Sequence, residues 1–326
     1  MNILVTGGCG LAGSFAVRHA VEQGHRVAAY DVVLRTELLD DILDRITLVR
    51  GDVLDAPELM RTVKEQGVDR ILHMASFLTP GAYARPYAAI ETSVMGTLNV
   101  LECARTFGLS RLVYISTGKT MMTAAAYGRS ATGGELDIKP DPYTSAKVAC
   151  ELICNDYRRM YQLDIVIVRF AGQVFGPGHA FAGAAGQAFK DLIEKPLRGQ
   201  PVKLNSPYAP YSAKVMGILY AADAGRGAMM AALADGLRDY VFNIRGQEKM
   251  TLWEVADLLR ELIPGSDVEV PRGPEAGAPE ELDLRAKEQL GYAPEYSARR
   301  GFREYLEFLR TGRWQRVENL VEQVGQ

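Results

Sequence analysis

The chain has 326 residues, 48% hydrophobic and 24% charged, and a net charge of -3 at pH 7, which suits a globular protein with a sizeable core. The slight acidity leaves no basic footprint for nucleic acid. No apolar run reaches the roughly 18 residues of a membrane span, and Met1 leads straight into a strand pattern rather than a cleavable leader, so a cytoplasmic protein without a membrane partner is expected.

In chain order, residues 2–7, 26–31, 46–52, 70–76, 111–117 and 164–170 read as strands. Most are nearly continuous apolar runs, as expected of strands buried on both faces of a parallel sheet. Between them, stretches such as 13–24 and 96–108 carry apolar residues at helical spacing and end on glycine. The alternation predicts an α/β fold, a Rossmann-type doubly wound parallel sheet with right-handed crossovers.

The first strand runs into "TGGCGLAG", with Gly7, Gly10 and Gly13 in a strand–turn–helix setting. Those glycines suit a tight turn, backbone approach to a pyrophosphate and close helix–strand packing, and free N–H groups at the helix start would face phosphate oxygens. The second strand ends on Asp31, whose carboxylate can accept from both ribose hydroxyls and would repel a 2′-phosphate. NAD is therefore the expected cofactor, with Arg35 close by in sequence. Asp52, after the third strand, is placed to reach an adenine amino group.

The fifth strand ends in Ser116 and Thr117, and 26 residues further on come Tyr143 and, four later, Lys147. That spacing puts both side chains on one helix face. A free tyrosine titrates near pH 10 and is a poor base at neutrality. A neighbouring ammonium, helped by the positive charge of an oxidised nicotinamide, would favour the phenolate, allowing the tyrosine to take a proton from a substrate hydroxyl. Thr117 can donate to and accept from the same oxygen, with Ser116 as the alternative. A near-copy, "YSAK" at 211–214, has a spacing of three and no such companions.

Beyond residue 171 the texture becomes richer in glycine and alanine. Helices over 187–199 and 251–262, a strand in 239–244 and an amphipathic C-terminal segment (300–324) are expected. The expected division is an NAD-binding domain over 1–170, with a return segment near 208–240, and a smaller α+β substrate lobe over 171–326. Cys9, Cys103, Cys150 and Cys154 do not cluster with the histidines, so buried thiols are expected rather than a metal site or disulfides.

With these motifs the chain resembles the extended short-chain dehydrogenase/reductases, in particular the NAD-dependent sugar epimerase/dehydratase group. The resemblance runs nearly end to end. It implies Thr117, Tyr143 and Lys147 as the catalytic set, with Tyr143 and Lys147 also at the cofactor. It further implies Gly7, Gly10, Leu11, Ala12 and Gly13 of the turn, Asp31, Asp52 and Val53 of "GDV", and Ala75 of "HMAS" as cofactor residues. Ser76, Lys119, Gln173, Tyr208 and Tyr211 are the implied substrate residues. It departs from the pattern at Gln173 and Ser93, where relatives often carry asparagine. The "PYAPYSAKVMG" stretch also lacks the arginine with which relatives grip a diphosphate, and Lys203 or Lys214 is no planar substitute. The expected activity is an NAD-dependent epimerase of a sugar or nucleotide sugar. The alternatives are a dehydrogenase of a smaller polyol, sugar acid or hydroxy-carbonyl compound, and a non-catalytic NAD sensor. A dehydratase is disfavoured because Gly118 and Lys119 follow Thr117, where those relatives place acids. Met95, Leu98, Leu101, Ile153 and Tyr157 on two helices suggest a homodimer.

Overall fold

The computed structural model describes residues 1–120, 141–177, 183–204, 215–272 and 283–314, with the side chains of 80 and 183–188 excepted. The chain order is β1 (Asn2–Thr6), α1 (Leu11–Glu22), β2 (Arg26–Asp31), a 3-10 turn (Asp40–Arg45), β3 (Ile46–Arg50), α2 (Ala56–Glu65), β4 (Arg70–His73), α3 (Thr79–Ala84), α4 (Pro86–Phe107) and β5 (Arg111–Thr117). It continues with α5 (Pro142–Tyr161), β6 (Ile165–Phe170), β7 (Gln173–Phe175), α6 (Gly183–Leu197), β8 (Val202–Lys203), β9 (Met216–Tyr220) and α7 (Ala221–Leu233). The last elements are β10 (Val241–Ile244), β11 (Glu248–Met250), α8 (Leu252–Leu262), β12 (Val268–Glu269), α9 (Arg285–Leu290) and α10 (Ala298–Thr311).

Seven strands form the main sheet in the order β3-β2-β1-β4-β5-β6-β10, and every pairing in it is parallel. This is the doubly wound arrangement the alternation predicted. The strand order reverses between β1 and β4, so a crevice opens there at the carboxyl ends of the strands.

Strand side chains alternate between two cores, as the two-residue period requires. Ile3, Val5, Ala29, Leu72, Val113 and Val166 pack with α1 and α7 on one face. Leu4, Ala28, Tyr30, Ile71, Leu112 and Ile165 pack with residues of α2, α4 and α5 on the other. A third core joins Phe15 of α1 to Phe175, Phe189, Tyr220, Leu252, Leu259 and Phe302. It lies against a small sheet ordered β11-β9-β7.

Two strands stop sooner than the apolar runs suggest. β4 ends at His73 because Ala75 gives its N–H to the Thr6 hydroxyl at 3.3 Å instead of to the ladder. β3 ends at Arg50, and the Asp52 carboxylate accepts from Leu54 N at 2.9 Å, bending the chain toward α2. The strand expected in 239–244 is real, but it closes the edge of the main sheet beside β6.

Candidate active site

The crevice begins at the turn from β1 to α1. Gly7 adopts φ +69°, and a Cβ there would lie 2.8 Å from Ala75 N. A Cβ on Gly13 would lie 2.0 Å from the Gly7 carbonyl oxygen, so neither position tolerates a side chain. Gly10 is exposed and caps α1 without a side-chain hydrogen bond. The first turn, which includes Leu11, Ala12 and Gly13, therefore offers bare backbone and the positive end of a helix dipole to an anion.

Asp31 closes this turn from the end of β2. Its carboxylate accepts from Cys9 N at 3.1 Å and Val33 N at 3.2 Å. Burial raises its pKa, and those backbone donors oppose the rise. Asp52 is exposed, its backbone carbonyl taking the Tyr30 hydroxyl at 2.9 Å. Val53 is buried, and its carbonyl accepts from Asn99 of α4 at 2.8 Å. Ala75 sits directly under Gly7. A phosphate-accepting helix start and a ribose-height carboxylate fit a dinucleotide without a 2′-phosphate.

The residues expected to be catalytic lie at the end of β5 and the start of α5. Asp141 caps α5, accepting from Thr144 N at 2.8 Å and Thr144 Oγ1 at 2.9 Å. Pro142 takes the first helical position, where its missing N–H costs nothing. Tyr143 follows, in the capped first turn, with the Thr117 hydroxyl near enough to favour its phenolate. Lys147, one turn on, is 4% exposed and donates to Ile115 O at 2.7 Å. Its Nζ lies 5.9 Å from the Tyr143 ring centroid and 4.9 Å from that of Tyr114.

Burial governs the electrostatics of this pair. Burial pushes the Tyr143 phenol up to about 12, with Thr117 favouring the phenolate and Asp141 opposing it. Burial also pulls Lys147 down to about 8. The ammonium is tied to a carbonyl and surrounded by protein, so the polypeptide alone does not depress the tyrosine.

Ser116 and Thr117 have different partners. Ser116 is buried and donates to Glu151 Oε1 at 2.5 Å, leaving Thr117 as the hydroxyl at Tyr143. Lys119 reaches the same ring from outside, its Nζ 5.6 Å from the Tyr143 centroid and 3.2 Å from Asp141 Oδ2. Ser76 donates to Phe77 O at 3.1 Å, and Gln173 Nε2 donates to Val174 O at 3.2 Å at the start of β7. Tyr208 and Tyr211 lie outside the described residues. Composition and spacing missed three polar groups here: the Asp141 cap, Glu151, and His73, which bridges the Thr6 and Thr97 hydroxyls at 2.7 and 3.2 Å. The Asp-Pro pair before Tyr143 was a usable signal for the first of these. The four cysteines are buried free thiols.

Residues 3–244 match the NAD dependent epimerase/dehydratase family. The chain belongs to that family. It is an enzyme of the extended short-chain dehydrogenase/reductase type, which sets aside the non-catalytic sensor, and its cofactor is NAD. A dTDP-glucose 4,6-dehydratase of Streptomyces antibioticus is 26% identical over 96% of this chain and 93% of its own. A UDP-glucose 4-epimerase of Thermus thermophilus, solved in complex with NAD, is 26% identical with a TM-score of 0.75, covering 95% of this chain and 99% of that one. A UDP-glucose 4-epimerase of Thermotoga maritima, solved with UDP-glucose, is 25% identical with a TM-score of 0.75, covering 96% and 99%.

Proposed function

We propose that this enzyme is an epimerase of a sugar or nucleotide sugar. The supporting observation is the pairing of the Thr117 and Tyr143 hydroxyls with Lys147 buried behind them, and with Lys119, held by Asp141, at the Tyr143 ring. Bound NAD supplies a hydride acceptor that can return what it took. Thr117 holds the substrate oxygen, and Tyr143 removes and restores the proton on it. Lys147 balances the charge that develops on the phenol, and Asp31 with the α1 start keeps the cofactor in place. A dehydratase needs a further acid and base beside the sugar, and Gly118 and Lys119 occupy the positions next to Thr117. Relatives whose names include UDP-glucose 4-epimerase support the nucleotide-sugar substrate.

A second reading is net oxidation or reduction of a smaller hydroxy compound. It is favoured by Gln173, which spends its amide on the neighbouring Val174 carbonyl, and by the missing arginine in 207–217. Purified enzyme given nucleotide sugars, free sugars and sugar acids with external NAD separates the two. Epimer formation without net NADH supports the epimerase, and stoichiometric NADH overturns it.

A homodimer is part of the same proposal. Tyr87 is 80% exposed on α4, and Leu152 and Met160 are 60% and 68% exposed on α5, with Ile90 and Met95 alongside. Of the residues named from sequence, Met95 is in this exposed set, whereas Leu101 is buried and Ile153 and Tyr157 pack on the sheet core. An apolar face on two adjacent helices fits a second copy of itself. A monomer mass in solution would overturn this.

A further inference from the structure

We propose that Glu151 is a positioning residue of this site, locking the Thr117 turn onto the helix that carries Tyr143 and Lys147. The proposal rests on the assignment of those three residues to proton transfer.

Glu151 lies one helical turn beyond Lys147, on the same face of α5. Its Oε1 accepts from Ser116 Oγ at 2.5 Å, Thr120 Oγ1 at 3.0 Å and Arg169 Nε at 2.9 Å. Its Oε2 accepts from Arg169 Nη2 at 2.5 Å. The carboxylate thus gathers donors from β5, from the segment after it and from β6. Both members of the ion pair are largely sheltered, with side chains 12% and 19% exposed, where charge-assisted bonds are strong and directional.

Thr117 lies between the two hydroxyls that Glu151 holds. Thr120 also reaches back to Thr117 O at 2.8 Å, and Gly118 N donates to Phe170 O at 2.9 Å. The chain from 116 to 120 is therefore pinned on both sides of the hydroxyl that contacts Tyr143. Tyr143 and Lys147 are fixed by the same helix that presents Glu151. One side chain sets the distance between the two halves of the catalytic set.

The Glu151 charge also acts on Lys147. Around the ammonium stand Glu151, Cys150 and Cys154 of α5, Tyr143 on the same helix, the Tyr114 ring and Ile115 carbonyl of β5, and His73 of β4. Burial dominates and lowers its pKa, and Glu151 opposes that fall. Without the carboxylate, Lys147 gives up its proton at lower pH.

Glu151→Gln and the double variant Ser116→Ala, Thr120→Val test this. In each, kcat should fall about tenfold or more with KM nearly unchanged, the penalty of a misplaced group. A crystal structure of each should show the Thr117 hydroxyl displaced from Tyr143. Only Glu151→Gln should also move the alkaline limb of kcat toward lower pH, because only it removes charge. A merely structural role predicts a lower melting temperature with kcat per folded molecule and the pH limb unmoved. That result, or Thr117 unmoved in both crystals, overturns the proposal. If Glu151→Gln does not fold, the double variant keeps the Glu151–Arg169 pair and decides alone. If the wild type turns over no sugar offered, the functional reading fails, and the crystal structures still decide the role of Glu151.

Discussion

As the proposed acid/base, Tyr143 must release and recapture a proton, yet its phenol is pushed up to about 12 while the neighbouring Lys147 falls to about 8. Both shifts come first from burial, which penalises each charged form. The pocket thus holds a neutral phenol until a ligand brings charge, which keeps the proton on the enzyme between turnovers. Tyr143→Phe removes the proton carrier and keeps the ring, so turnover should fall about a hundred- to ten-thousand-fold. NAD binding, followed by titration calorimetry, should stay close to wild type. His73 makes a different prediction, about stability. Burial pulls its pKa down to about 3 from 6.5, with Lys147 adding to the fall. Between those values the unfolded chain binds the proton and the folded one does not, so stability falls as pH drops below 6.5. The slope from this residue is about 1.4 kcal/mol per pH unit, or about 2 kcal/mol between pH 6.5 and 5. Urea unfolding of His73→Asn should show that much less dependence over the same window.

Helix α5 carries the proposed proton-transfer pair, and its start is set by Asp141. The carboxylate caps the first turn and holds Lys119 at 3.2 Å while raising the Tyr143 pKa. Asp141→Ala should cost about 1 kcal/mol through the lost cap, read by thermal or urea unfolding, and should reduce turnover because Tyr143 lies in the turn that frays. Asp141→Asn keeps an acceptor for the cap and removes the charge. Its stability should stay near wild type, while the acid limb of kcat moves to lower pH because the phenolate is no longer opposed. Unmoved limbs would separate Asp141 from the proton chemistry. The helix and its Tyr-x-x-x-Lys face were legible in the sequence because helical spacing is local, and the strand–turn–helix glycines were legible for the same reason. Glu151 and His73 were not. Each depends on which way a side chain turns once β4, β5 and β6 pair, and those partners are far apart in the chain. The fate of β10 was hidden likewise, because a four-residue strand with three apolar side chains does not say which sheet it joins.

At the scale of the molecule, α1 joins the cofactor turn to the rest of the chain. Its N-terminus meets the glycine turn, while Phe15 on its side packs with Tyr220 at 6.0 Å and Trp314 at 5.2 Å between centroids. Arg18 lies 4.4 Å over the Trp314 ring and donates to Leu38 O at 2.7 Å. The third core, which carries β7, β9, α8 and α10, therefore includes a residue of the helix proposed to receive NAD. A ligand held at the start of α1 must stabilise both regions together, since one cannot melt without stripping contacts from the other. Calorimetry should show a single cooperative transition that NAD raises as a whole, by about 2.7 kcal/mol when NAD is at a hundred times its Kd. Two transitions, only one of them moved by NAD, would show that the cores melt independently. Phe15→Ala removes the shared contact at a cost of about 3 to 5 kcal/mol and should split or broaden that transition. UDP added beside NAD should raise it further if the second region grips a diphosphate, whereas a smaller hydroxy compound predicts no UDP effect. The same melting experiment thus reads both the coupling through α1 and the class of substrate the second region accepts.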